Sequence, residues 1–313
     1  MEYQLLETTK MDIDSLLAFV TTVNEKSFSK AALKLHLTQP AVSKRIQNLE
    51  SQLNVKLFER LQREVTLTEA GEVLLPHALS VLHEIDNAKL AIQNIDHKIA
   101  GNLRIVASHH IGLHRLPLIL KKFSKRFPDV ELKLNFLDSE SAYPLLKDNL
   151  ADIAFITIPE ETSISETIKK EFNCHLMWKD PMSFICGQGH PLSLLKSVIP
   201  EDLAKHNAIL PSQSTLTYRV VESIFKNNNL KLTANIPTNY LETMKMMASV
   251  GMGWSVLPNT MIDDELYVLP LKYKPVSRKL GAVSYQKKSL SNAAKAFIHV
   301  AESIWGQSDV SHN

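Results

Sequence analysis

The chain has 313 residues, a net charge of +2, 44% hydrophobic and 22% charged residues. This is the composition of an ordinary globular protein with room for two or three domains, and no apolar run reaches the roughly 18–20 residues that a membrane-spanning helix needs. The start, MEYQLLETTK, carries acidic residues and no apolar segment, so no secretory signal is expected and the chain is expected in the cytoplasm.

Residues 1–10 fall outside any periodic pattern and read as a frayed extension. From Asp12, the residues Ile13, Leu16, Leu17, Val20 and Val23 predict one apolar helix face, a support helix. Ser29 can cap a second helix, Lys30 to Leu35, whose Ala31 and Ala32 permit close packing. His36-Leu37-Thr38 turns the chain. Thr38 can cap a third helix, with Pro40 in its first turn, where a missing N–H costs nothing. Val42, Ile46, Leu49 and Leu53 then face a core. Gln39, Ser43, Lys44, Arg45 and Gln47 lie off that stripe. Residues 57–60 and 64–68 predict a two-stranded wing with Arg60 and Arg63 near its tip.

Charge is concentrated in this segment. Lys26, Lys30, Lys34, Lys44, Arg45, Lys56, Arg60 and Arg63 stand against Glu50 and Glu59, a local balance of +6 where the whole chain carries +2. A phosphate-contacting surface requires such a concentration. Arg can donate two bonds to guanine and Gln can pair with adenine, while Lys and Ser more often grip phosphates. Helix, turn, helix and basic hairpin predict a winged helix-turn-helix that binds DNA, with Ser29, Thr38, Gln39, Pro40, Ser43, Lys44, Arg45, Gln47, Arg60 and Arg63 as its contact residues.

Thr68 can cap a long helix to about Ile99. Leu74, Ala78, Val81, Ile85, Ala88, Ile92, Ile95 and Ile99 alternate at spacings of four and three, the heptad pattern of a coiled-coil seam, with Pro76 expected to kink its first turns. The alternative packs this helix on its own domain.

After Gly101-Asn102 strands and helices alternate, which predicts α/β architecture with parallel sheet. Strands are expected at 103–108, 130–136 and 152–157, with a helix at 116–127. A second set follows: strands at 182–186, 208–210, 236 and 253–257, and helices near 217–227 and 240–250. A strand at 280–285 and a helix at 292–304 then return to the first set. The layout predicts two lobes joined by two crossovers, with a cleft between them. Domain bounds follow as 1–68, 69–100 and 101–313, with lobe I at about 101–170 and 273–305 and lobe II at about 171–272.

Ligands in such sheets bind at strand C-termini and helix N-termini, where free N–H groups favour an anion. Ser108, His109, His110, Ser139, Thr157, Ser214, Thr215, Thr217, Arg219, Asn239 and Tyr240 occupy such places, and their hydroxyls, imidazoles and guanidinium suit a carboxylate. Any one hydroxyl could be a simple helix cap. His110 and His114, four apart, could share a helix face, yet no Cys or carboxylate lies near in sequence and no metal is expected. No cofactor is expected, and none of the GxSxG, HExxH or phosphate-loop motifs of an enzyme is present. Cys174 and Cys186 have no metal or redox spacing. They read as buried thiols, with a redox switch as the alternative.

SFSKAALKLHLTQPAVSKRIQNLE, LFER and LTEAG resemble the N-terminal domain of LysR-type transcriptional regulators, although Glu64 and Thr66 stand where the family often has small or basic residues. GNLRIVAS, DIAFIT, GHPL and GMGWSVLP resemble the same family, so the similarity runs from residue 12 to about 305. The resemblance implies a periplasmic-binding-protein-like effector domain, a dimer through the linker helix with assembly to a tetramer, and a two-part operator. It implies RNA polymerase as a further partner. SHHIGLHRLP and TNYLETMKMMASVGMGWSVLP are similar to a branch associated with amino-acid biosynthesis, which makes a small organic acid the expected effector. The alternatives are a redox sensor, a solute-binding protein or an enzyme built on the same lobes.

Overall fold

The computed structural model describes residues 11–61, 64–93, 99–159 and 168–308. The chain forms two compact units, Met1–Lys98 with Asp148–Leu150, and Ile99–Lys147 with Ala151–Asn313. No helix of the described residues is long and apolar enough to cross a membrane.

The first unit holds α1 (Ile13–Glu25), α2 (Phe28–Lys34), α3 (Gln39–Leu53), the strands β1 (Phe58–Leu61) and β2 (Glu64–Leu67), and α4 (Glu69–Gln93). Each start has a side-chain cap. Asp12 accepts the Ser15 N–H at 2.7 Å, and Thr38 accepts the Ala41 N–H at 3.4 Å. The cap of α2 is Ser27 rather than Ser29, so the helix starts two residues earlier than expected and Ser29 lies exposed in its first turn. Leu16, Phe19, Val42, Ile46, Leu49, Leu57 and Phe58 close the core, with Ala31 and Ala32 between helices. Ile13 and Leu17 do not join it; they are 51% and 39% exposed, because the buried stripe of α1 runs through Leu16, Phe19, Val20 and Val23. β1 and β2 pair antiparallel.

Helix α4 runs unbroken through Pro76. Its first turns belong to the winged-helix core: Ala78 is 1% exposed, and Leu74, Leu75, Leu79 and Leu82 pack beside it. Leu74 and Ala78 are therefore committed to their own domain, a correction to the uniform seam. Further along, Val81 and Ile92 are 44% and 69% exposed, Ala88 is exposed and Ile85 half-buried. Ile95 lies outside the described residues, and Ile99 packs against the core of the second unit.

In the second unit β3 (Gly101–Ala107), α5 (His109–His114), α6 (Leu116–Arg126), β4 (Val130–Phe136), α7 (Ser139–Lys147) and β5 (Ile153–Ile158) follow one another. β3 lies parallel between β4 and β5. Then β6 (Phe172–Gly187) runs for 16 residues, longer than the expected 182–186. Next come a one-turn helix α8 (Pro200–Leu203), β7 (Ala208–Ile209), α9 (Leu216–Asn227), α10 (Leu241–Ser249), β8 (Trp254–Pro258) and β9 (Leu266–Val268). No strand forms at Ile236, where the chain is irregular. β10 (Val276–Tyr285) and α11 (Asn292–Ser308) complete the fold.

Alternate residues of each buried strand feed opposite layers, as a period of two requires. Ile105 and Phe155 join Phe123 and Phe297 on one face of lobe I, while Val106, Ala154 and Ile156 meet Ala142 and Leu146 of α7 on the other. In lobe II, Phe184 and Cys186 pack with Phe225 and Trp254, and Ile185 with Met244 and Met247.

β6 and β10 serve both lobes. They pair antiparallel from Phe172–Tyr285 to Met182–Val276, with a register shift between Leu280 and Gly281. Gly281 permits that shift: a Cβ there would stand 2.0 Å from the His175 carbonyl oxygen, well inside contact distance. Gly281→Ala should destabilise this unit by roughly 1–3 kcal/mol, as forced overpacking does. The check is a fall in melting temperature of several degrees with far-ultraviolet dichroism retained.

Candidate functional site

The ends of β3 and β5 and the starts of α5 and α7 in lobe I face the starts of α9 and α10 in lobe II across a cavity of about 60 Å³. Ser108, His109, His110, Asp138, Ser139, Glu140 and Thr157 line it from lobe I. Pro211, Thr215, Leu216, Thr217, Asn239 and Leu241 line it from lobe II, and Arg278 from the crossover strand β10.

Local geometry explains each position. Ser108 follows β3 directly and sits at the cap position of α5 without capping it, so its hydroxyl is not consumed by the helix. Ser139 opens α7, and its hydroxyl accepts the Thr157 N–H at 3.0 Å, which ties the end of β5 to α7. Thr215 caps α9: its oxygen accepts the Tyr218 N–H at 3.3 Å and its hydroxyl donates to the Ser212 carbonyl at 2.8 Å. Thr217 is 5% exposed in the first turn. Asn239 holds the lobes together. Its carbonyl oxygen accepts the Ser212 N–H at 2.8 Å, and its amide donates to Asp138 of lobe I at 2.6 Å.

A helix N-terminus leaves N–H groups without partners inside the helix. At α9 the Leu216 N–H donates to a Glu140 carboxylate oxygen, 3.2 Å away and contributed by lobe I. Helix α9 has no acid in its own first turn. Across the closed cleft, Glu140 supplies the anion that the helix dipole favours.

Three expected residues stand apart from the cavity. Ser214 and Arg219 are exposed, and the Arg219 guanidinium folds back onto the Ser214 carbonyl. Tyr240 is 52% exposed and packs its ring 4.7 Å from that of His109 instead of lining the cavity. Conversely, Glu140 and Arg278 line the cavity and were absent from the expected contact set. Glu140 carried a weak sequence signal, an acid in a helix first turn. Arg278 carried none, because only strand pairing brings it there.

Arg278 is cross-strand partner to Asp180. Its guanidinium donates to one Asp180 oxygen from Nε at 3.0 Å and Nη2 at 2.5 Å. The other Asp180 oxygen lies 3.8 Å from His110 Nε2, too far for a hydrogen bond, and both His110 ring nitrogens lack a partner although the residue is only 6% exposed. Burial lowers the His110 pKa, outweighing the pull of Asp180. Burial would raise that of Asp180, but the facing imidazole and guanidinium hold it below the usual carboxylate range. His110 and His114 do share a face, rings 4.8 Å apart, and His114 Nε2 sits 3.2 Å from Glu242. Carboxylates distant in sequence thus approach both imidazoles, yet no group of three or more His, Cys, Asp or Glu is placed to hold a metal among the described residues.

In the winged-helix unit, Thr38, Gln39, Pro40, Lys44 and Gln47 are exposed along the first turns of α3, and Ser43 is half-buried with its hydroxyl accepting from Gln39 at 3.0 Å. Arg45 is not a free reader: its guanidinium is 2.9 Å from Asp14 of α1 and it is half-buried. Lys34 and Lys56 are paired too, with Glu25 and Glu50. Arg60 lies on β1, and Arg63 lies outside the described residues.

Cys174 and Cys186 occupy the same strand, β6. Twelve residues at about 3.3 Å each separate them by about 40 Å, far beyond disulfide reach. Burial raises both thiols, Cys186 to about 11. An internal disulfide switch is thereby removed.

Two family profiles match the chain. "Bacterial regulatory helix-turn-helix protein, lysR family" matches residues 13–72, and "LysR substrate binding domain" matches residues 96–304. A probable RuBisCO transcriptional regulator of Synechocystis is 29% identical, covering 91% of this chain and 84% of its own. An HTH-type transcriptional regulator in the ibpB-leuC intergenic region of Azotobacter vinelandii is 54% identical over 107 residues, 34% of this chain and 74% of its own. Full-length CbnR complexed with its target DNA superposes with a TM-score of 0.65 at 16% identity, covering 94% of this chain and 99% of that one. That likeness shows the fold.

The buried imidazole has a consequence for stability. Below the ordinary histidine pKa of 6.5 the unfolded chain binds a proton that folded His110 refuses, so stability falls as pH drops from about 6.5. His190, also lowered by burial, acts the same way. Each contributes at most about 1.4 kcal/mol per pH unit. Melting temperature should fall between pH 7 and 5.5, and His110→Gln should flatten part of that fall while His190 retains the rest.

Proposed function

We propose a specific role for this chain from the premise that it belongs to the LysR family of transcriptional regulators: it senses a small organic acid in the interlobe cavity and thereby controls transcription at a two-part operator. DNA binding through the helix-turn-helix and effector binding through the C-terminal domain are the family's common properties. The observation that carries the finer reading is the N-terminus of α9, which already holds a carboxylate, facing the uncommitted Ser108 hydroxyl across the cavity. Hydrogen-bond donors fixed by rigid elements suit an effector carboxylate.

In this reading residues 1–68 bind DNA, 69–100 link, and 101–313 sense. The first turns of α3 enter the major groove. Thr38, Gln39, Pro40, Ser43 and Gln47 approach bases or adjacent phosphates, and Lys44 contacts phosphate. Arg45 reads a base only by exchanging Asp14, an exposed partner whose loss costs little. Ser29, Arg60 and Arg63 extend the phosphate contact. Val81, Ile85, Ala88, Ile92 and Ile95 form the dimer seam, its apolar side chains at Val81 and Ile92 exposed in the single chain. Two such dimers form a tetramer that engages RNA polymerase. A target in amino-acid biosynthesis is the reading we prefer, and the ibpB-leuC location of the Azotobacter relative suggests where to begin.

Ser108→Ala should leave operator binding and dimerisation intact and blunt the response of a promoter reporter to the effector by about tenfold, the loss expected of one hydrogen bond worth roughly 1–1.5 kcal/mol. An undiminished response would remove Ser108 and this cavity from the sensing site. Lys44→Ala should weaken binding equally on operator and random DNA and reduce the slope of log affinity against log salt by about one counterion. Gel-shift titrations across a salt series measure both.

A further inference from the structure

The cavity carries negative charge that the carboxylate reading leaves unbalanced. Asp138 and Glu140 both line it, and neither has an ion-pair partner among the described residues. Arg278 lines it too, but its charge is met by Asp180. A dianion entering this space would meet two uncompensated carboxylates, a costly arrangement where screening is reduced.

The opposite wall favours an anion. Helix α9 is 12 residues long, and its Leu216 N–H is satisfied by Glu140. His110, buried and without a hydrogen bond at either ring nitrogen, lines the same space and can exchange a bond with whatever enters. A ligand carboxylate that takes the α9 N-terminus displaces Glu140 and leaves its charge beside the newcomer. A cation on the ligand resolves that conflict. Asp138 is already oriented by the Asn239 amide at 2.6 Å and retains oxygen lone pairs for a second donor.

Resting on the reading of the cavity as a carboxylate site, we propose that its ligand is a zwitterion of the amino-acid class. Its carboxylate replaces Glu140 at the N-terminus of α9, and its ammonium is held by Glu140 and Asp138. Glu140 thus exchanges one partner, a backbone N–H, for a better one, a charged donor. It excludes hydroxy acids, keto acids and dicarboxylates that lack the ammonium.

Calorimetry on the full chain tests this with the standard amino acids and their 2-hydroxy and 2-keto analogues, which keep the carboxylate and lose the ammonium. At least one amino acid should bind, and its analogues should bind at least about tenfold more weakly. In the isosteric Glu140→Gln the preference should shrink from both sides: the amino acid binds more weakly and the analogue more tightly. Asp138→Asn should shift it the same way. An analogue that binds wild type as tightly as its amino acid overturns the proposal, as does a Glu140→Gln variant that weakens both or changes neither. If that analogue's binding is lost in Ser108→Ala, the carboxylate site stands and only the zwitterion falls. If Ser108→Ala leaves binding unchanged, or no acid binds at all, the carboxylate reading falls with it.

Discussion

Everything in the sensing unit depends on the pairing of β6 with β10. These strands carry the chain out of one lobe and back again, and their ladder runs continuously from Phe172 to Met182 apart from the shift at Gly281. Because both crossovers are strands of one ladder, the ends of β3 and β5 and the starts of α5 and α7 are brought opposite those of α9 and α10. The donors at these ends are orphaned by helix geometry, so a polar cavity between them is a consequence of the topology. Arg278 and Asp180 stand on this ladder, one lining the cavity and the other buried behind it. A ligand that touches Arg278 therefore acts on the element that sets the lobe geometry.

The lobes contact one another directly. Asp138 with Asn239, Glu140 with the α9 N-terminus, His114 with Glu242 and His109 against Tyr240 all join one lobe to the other. Two of these contacts use groups that an effector would claim. Were the proposed effector to bind there, it would exchange partners with these groups, and its binding free energy would be the difference between two sets of hydrogen bonds. Such an exchange can bias two arrangements of the lobes by the small margins that regulation needs.

The fold was legible where sequence pattern and environment agree. LRIVAS and DIAFIT are apolar on both faces because both faces are covered, and Thr38 and Thr215 announce helices because a hydroxyl there satisfies an orphan N–H. Strand β6 was legible only at its second half: Lys179, Asp180 and Pro181 interrupt its apolar pattern, and Pro181 reads as a break although it is tolerated where the ladder passes between lobes. Ser27 and Ser29 compete for one cap, and spacing alone does not choose. The heptad on α4 is real as a pattern, but its first positions, Leu74 and Ala78, close the winged-helix core.

The site was legible through residues adjacent to strand ends and illegible through those placed by pairing. Ser108, Ser139, Thr157 and Thr217 follow from topology read along the chain. Glu140 reaching Leu216, and Arg278 reaching the cavity, depend on contacts between residues 76 or more apart. Arg45 shows the reverse case: its off-stripe position on α3 is legible along the chain, but its pairing with Asp14 of α1 is not. In the function proposed above, the effector acts by occupying the α9 N-terminus. Hydrogen exchange of the full chain, with and without an effector identified by the promoter response, tests it most directly. Protection is expected at 108–112, 138–140 and 212–218 together. Protection confined to other segments, with these three unchanged, would contradict it.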